Sequence, residues 1–134
     1  MKGGIRNKSK RIELDLVSKK IHIQKLISNP NIIKFDVRSK NEIEKGHVCS
    51  SILLYDFIKD YNLILQRDFM NFIKNDKNTE ILIYCKSGRR AKLSAQILHK
   101  LGFNNKIYIV VNGGFEQMII EDIIDENNIC IFCK

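Results

Sequence analysis

The chain has 134 residues, 44% of them hydrophobic, and a formal charge of +8, which suits one domain with a sizeable core. No apolar run reaches the roughly 18 residues of a spanning helix, and the four cysteines are too irregularly spaced for the framework of a small secreted protein. A cytoplasmic, reducing location is therefore expected; the N-terminus lacks an apolar signal core, and organellar targeting stays open.

Residues 1–25 carry eight Lys/Arg against Glu13 and Asp15, so +6 of the +8 sits there and the rest of the chain is near neutral. This argues for a solvated basic arm rather than a nucleic-acid-binding body. Residues 1–15 are read as a flexible extension, 16–126 as the domain and 127–134 as a cysteine-containing tail. Ser18 to Ser28 reads as a short helix with Ile21, Ile23, Leu26 and Ile27 as its apolar residues, stopped at Asn29-Pro30-Asn31. Ile32 to Val37 reads as a strand, Asn41 to Lys45 as a short helix ending at Gly46, and Ser51 to Leu54 as a short buried strand. Asp56 to Asn75 reads as helix in two pieces, with Phe69, Phe72 and Ile73 at i, i+3, i+4 spacing. Glu80 to Tyr84 is a strand. Arg89 to Leu101 is a helix with Ala91, Ala95, Leu98 and Leu101 on one face, ended by Gly102. Lys106 to Val111 is a strand too apolar to alternate, and Phe115 to about Ile124 is a last helix. Strands alternating with helices predict an α/β fold with a parallel sheet covered on both faces, whose site lies beyond the carboxyl ends of its strands.

Cys85-Lys86-Ser87-Gly88-Arg89-Arg90 stands at such an end, between a buried strand and a helix. Backbone N–H groups of a tight loop and the positive end of a helix both favour a negative sulfur, and three cations add to that field. Gly88 permits the turn that brings the amides together. A reduced core cysteine is the bland reading of Cys85, and the glycine and cations beside it weigh against that.

The segment resembles the active-site loop of the rhodanese (sulfurtransferase) family, of the form C-x-x-G-x-R, matched at Cys85, Gly88 and Arg90. Phe35-Asp36-Val37-Arg38, Glu42 and Gly46-His47-Val48 resemble the family's D-V-R…E…G-H segment, while Leu101-Gly102-Phe103 and Asn112-Gly113-Gly114-Phe115 resemble its L-G-F and G-G-W segments. The resemblance implies a five-stranded, mostly parallel sheet with helices on both faces. It also implies a thiosulfate sulfurtransferase in which Cys85 is the catalytic nucleophile and carries sulfur as a persulfide. Lys86, Ser87, Gly88, Arg89 and Arg90 then form the substrate-binding loop, with Lys86 and Arg89 attracting anionic donors and Arg90 turned inward as a brace. Asp36 and Arg38 are supporting residues, expected to pair with each other or with backbone. The partners implied are a small anionic sulfur donor and a thiol or cyanide acceptor, with neither cofactor nor metal. The spacing C-x₄-R is one residue shorter than the C-x₅-R of cysteine phosphatases, and a smaller ring of amides suits one sulfur atom better than a phosphoryl group.

Two rivals remain: a non-catalytic interaction or regulatory module, and a relay passing sulfur to a protein acceptor. Cys49, standing where proline is common in the family, is read as a small buried turn residue, and His47 as a structural histidine. Cys130 and Cys133 form a C-x-x-C pair, weighed as incidental, as redox-coupled to Cys85, or as half of a zinc site; the first is favoured.

Overall fold

The computed structural model describes residues 14–111 together with Gly114, Phe115, Met118, Ile129 and Cys130. In chain order the elements are β1 (Leu14–Val17), α1 (Lys20–Ser28), β2 (Ile32–Asp36), α2 (Lys40–Glu44), β3 (His47–Val48), β4 (Ile52–Leu53), α3 (Phe57–Ile64), α4 (Asp68–Asn75), β5 (Glu80–Tyr84), α5 (Arg89–Lys100), β6 (Ile107–Val110) and β7 (Ile129–Cys130). Five strands form one sheet in the order β1-β6-β5-β2-β4, every pairing parallel.

The period-2 pleat sorts the strand side chains onto two covered faces. Phe35, Ile81, Ile83, Ile107 and Ile109 face α3, α4 and α5, where Phe57, Ile64, Met70, Ile73, Ala91, Ala95 and Leu98 complete one core. Ile32, Leu82, Tyr84, Tyr108 and Val110 face the other way, against Ile23, Leu26 and Ile27 of α1 and against Phe115 and Met118. Because both faces are buried, β5 and β6 read as continuous apolar runs rather than alternating ones. Each fully buried Leu or Ile contributes about 1.5 to 3 kcal/mol.

The elements expected between Ser18 and Val111 are present, with shifts of a residue or two at their ends. The final helix expected from Phe115, the Asn112-Gly113 pair, the arm over residues 1–13 and Cys133 fall outside the described residues, apart from Gly114, Phe115 and Met118. Four differences have physical causes. Leu14 and Asp15, placed with the basic extension by composition, belong to an edge strand that pairs with β6; its outward Leu16 is 57% exposed, so no alternation announces it. Phe72, part of the apolar spacing, is 77% exposed, because Met70 and Ile73 form the core stripe of α4 and Phe72 lies on the far side. Ile21 of α1 and Leu101 after α5 likewise face solvent. Cys49 is not buried; it is exposed and disulfide-bonded to Cys130.

That disulfide joins residues 81 positions apart, a closure that limits the unfolded chain by about 4.5 kcal/mol on the loop-entropy view. It lies on a second, two-stranded antiparallel ribbon in which His47 is opposite Cys130 and Val48 opposite Ile129. The tail cysteine is thus a structural partner of the segment after α2, not an incidental residue.

Candidate active site

Register sets the site. Asp36 at the end of β2 lies level with Tyr84 at the end of β5, so the chain segments leaving both strands meet at the carboxyl edge of the sheet. Cys85 is the first residue beyond β5 and is completely buried. Its Sγ accepts hydrogen bonds from the backbone N–H of Gly88 at 3.0 Å and of Ala91 at 3.4 Å. Ala91 is the third residue of α5, whose N-cap, Gly88, offers no side-chain oxygen. The sulfur of Cys85 therefore takes the place of an N-cap acceptor for an otherwise orphaned helix amide. Two backbone N–H donors and the start of a helix thus converge on this one sulfur.

Gly88 has φ +98, and a β-carbon there would press within 3.3 Å of the Val110 carbonyl oxygen. The positive φ is what folds the loop back over its own sulfur. Lys86, Ser87 and Arg89 are exposed at the mouth of the loop, while Gly88 is buried and Arg90 half-buried. From the other side, the N–H of Phe115 donates to the Cys85 carbonyl at 2.9 Å.

Arg90 fastens the loop to α2. Its Nη1 and Nη2 donate to the two Glu42 carboxylate oxygens at 2.8 and 3.1 Å. Glu42 Oε1 also accepts from the Ser39 N–H at 3.0 Å, and Ser39 Oγ accepts in return from the Glu42 N–H at 3.3 Å, a reciprocal capping box. One carboxylate thus ties the starts of two helices together across 48 positions of sequence. The Arg90 guanidinium holds the Glu42 carboxyl down at about 2, chiefly through these hydrogen bonds, and Arg90 is itself raised by them. A carboxyl depressed from 4.5 contributes stability that is complete above that pH and is lost as pH falls towards 2. Both side chains are about a third exposed, so solvent screening limits the pair to about 1 kcal/mol. Glu42→Gln is expected to lower the urea midpoint at pH 7 by that amount, with the gap from the unsubstituted chain narrowing as pH falls from 4.5. A gap that stays constant to pH 3 would rule out the carboxylate as its source.

Asp36 and Arg38 form a buried ion pair. Arg38 Nη2 donates to Asp36 Oδ2 at 2.7 Å and Nε to Oδ1 at 3.0 Å, and the Arg38 N–H adds a third bond to Oδ1 at 3.0 Å. Nη2 also reaches the Gly46 carbonyl at 2.6 Å. The guanidinium carbon lies 4.1 Å from the centre of the Phe115 ring, which stacks on Tyr84 at 5.9 Å. Tyr84 Oη accepts the Val48 N–H at 3.0 Å and shares a hydrogen with Ser51 Oγ; burial raises its pKa well above the ordinary range. His47 Nδ1 lies 3.2 Å from the Ile43 carbonyl.

The structure therefore brings Gly88 and the start of α5 onto the sulfur, sets Lys86 and Arg89 outward, and turns Arg90 to Glu42. It pairs Asp36 with Arg38, whose guanidinium lies over the Tyr84 and Phe115 rings, and neither residue hydrogen-bonds to Cys85. The Ser39-x-x-Glu42 spacing signals the helix cap, but the sequence does not show that the same carboxylate reaches Arg90. Among the described residues no cluster of three or more His, Cys, Asp and Glu could hold a metal ion, and no helix is long and apolar enough to cross a membrane.

Comparison with known proteins agrees with this fold. The chain is 33% identical over 89 residues to the tRNA sulfurtransferase of Blochmanniella pennsylvanica, covering 66% of this chain but 17% of that protein. It is 30% identical over 111 residues to YrkF of Bacillus subtilis, covering 81% of this chain and 54% of the relative. The chain thus spans about half or less of the length of these relatives. Among solved structures, a rhodanese-like domain protein from Staphylococcus aureus superposes with a TM-score of 0.59 at 21% identity, covering 89% of this chain and 99% of that one. The family described as the Rhodanese-like domain matches residues 22–121, a span that contains β2 through β6, the sulfur-centred loop and its Glu42 anchor, and the chain belongs to that family.

Proposed function

We propose that the chain is a sulfurtransferase that carries sulfane sulfur as a persulfide on Cys85, with thiosulfate as a donor. The observation that carries this reading is the pair of amides, from Gly88 and Ala91, aimed at Sγ. The Cys85 thiolate attacks the outer sulfur of thiosulfate; the S–S bond of the donor breaks and sulfite leaves with its electron pair. The loop amides that held the thiolate then hold the charge of the terminal sulfur. An acceptor thiol or cyanide attacks that outer sulfur and returns Cys85 as thiolate. Lys86 and Arg89, the exposed cations of the mouth, draw an anionic donor in. Since Cys85 has no exposed surface, the loop must open for the donor to arrive.

Treatment with thiosulfate is expected to add about 32 Da, one sulfur atom, to the Cys85 peptide. Cys85→Ala is expected to lose that adduct and to lower thiosulfate-dependent thiocyanate formation by about a thousandfold or more. Turnover that survives the substitution would overturn the reading. A second reading, sulfur relay to a macromolecular acceptor, is favoured by the name of the Blochmanniella relative and by the small fraction of it that this chain spans. It uses the same persulfide and differs in the acceptor that discharges it.

A further inference from the structure

The Cys49–Cys130 disulfide occupies a position with consequences for the loop. Cys49 is exposed and Cys130 half-buried. The ribbon they close pairs two residues on each side, too few to hold together without help. That ribbon nevertheless supports the layer beneath Cys85. Val48 gives its N–H to Tyr84 Oη, and Tyr84 directly precedes Cys85. Ile129, opposite Val48, packs in the same core cluster, and a β-carbon on Gly46 would sit 3.5 Å from Ile129 and 3.7 Å from the Phe115 ring. Phe115 in turn stacks on Tyr84 and donates its N–H to the Cys85 carbonyl. A path therefore runs from Cys49 through the Val48 N–H and Tyr84 Oη to the backbone of Cys85, and Ile129 packs on the cluster that holds Phe115.

We propose that Cys49–Cys130 is a thiol–disulfide exchange site whose co-substrate is a dithiol reductant, and that it acts as a redox latch on the Cys85 loop. The proposal rests on the sulfur-transfer reading for its purpose, though not for its chemistry. A thiolate of the dithiol attacks Sγ of Cys49, the more exposed residue of the pair; the Cys49–Cys130 bond breaks and Cys130 leaves as a thiolate that takes up a proton. The second thiol of the reductant then attacks the mixed disulfide and expels Cys49. Two electrons pass from the dithiol, which becomes a disulfide, to the pair, which becomes two thiols. Without its covalent tie the two-residue ribbon separates, Ile129 leaves the cluster that holds Phe115, and the contact holding the Cys85 carbonyl loosens. The oxidised chain keeps Cys85 sealed, and the reduced chain admits reagents to it.

The test compares the full chain, air-oxidised, with the same chain reduced by dithiothreitol and then desalted without oxygen. Each is pulsed with iodoacetamide, and the Cys85 peptide is quantified by mass spectrometry. Cys85 is expected to label about tenfold faster after reduction, and the slow rate should return on reoxidation. Cys49→Ser with Cys130→Ser should label fast whether or not reductant was applied; if that variant does not fold, the wild-type comparison decides. Equal or slower labelling of Cys85 in the reduced chain overturns the latch, as does an oxidised chain in which Cys49 and Cys130 both remain open to alkylation. Thiosulfate added in parallel separates the two claims. A redox-dependent labelling rate with no persulfide on Cys85 removes the sulfur-transfer reading and leaves the latch standing, whereas a persulfide with redox-independent labelling removes the latch alone.

Discussion

Gly114→Ala is expected to cost about 3 to 5 kcal/mol of stability and to abolish persulfide formation on Cys85. Gly114 has φ +55, which alone penalises a substituted residue by about 1 to 2 kcal/mol. The larger cost is steric. A β-carbon at this position would overlap the carbonyl oxygen of Cys85 and lie 2.6 Å from that of Lys86. Both obstacles are backbone, so no rotamer change relieves them. Either Gly114 retreats, which breaks the Phe115 N–H bond to the Cys85 carbonyl, or Cys85 and Lys86 shift, which moves Sγ away from the Gly88 and Ala91 amides. Stability and site are therefore lost together. Urea unfolding checks the first effect and the thiosulfate mass adduct the second. A variant with an unchanged midpoint would mean that the backbone yields far more easily than its packing suggests.

What the sequence discloses about this fold follows the reach of each signal. The Cys85 loop is legible because everything on the sulfur lies within six residues of it: Cys85 starts the loop, Gly88 turns it and Ala91 is in the first turn of α5. Strands β5 and β6 are legible because burial on both faces leaves an apolar run, which flanking helices can explain only in a parallel sheet. Glu42 is half legible. Its capping of α2 is local, but its bond to Arg90 depends on β2 and β5 being neighbours. Cys49 and Cys130 are not legible, because pattern reading pairs Cys130 with the cysteine three positions on, and only the ribbon opposite β3 shows the true partner. β1 is hidden for a related reason: an edge strand with an exposed leucine in a basic segment has no periodicity to offer, and its pairing with β6 is visible only in space.

The buried Asp36–Arg38 pair should show the second large effect. Arg38→Leu is expected to destabilise the chain by about 3 to 5 kcal/mol. Asp36 is fully buried, and its carboxylate is balanced by the Arg38 guanidinium. Replacing that side chain with an apolar one leaves a charge without its counter-ion, and it removes the donor to the Gly46 carbonyl. It also empties the position above the Phe115 ring. The loss should come mainly from the stranded carboxylate rather than from missing attraction, because burying an ion pair returns little net energy. That distinction is measurable. Adding Asp36→Asn to Arg38→Leu removes the charge while retaining an oxygen for the Arg38 backbone N–H. The double variant should then be more stable than Arg38→Leu alone, and the cycle should show a coupling of about 1 to 3 kcal/mol. Strictly additive losses would contradict this account and make Arg38 a packing residue whose value lies in Phe115 and Gly46. Because the Phe115 ring stacks on Tyr84 and its N–H holds the Cys85 carbonyl, such an outcome would also shift the support of Cys85 from charge balance to side-chain contact.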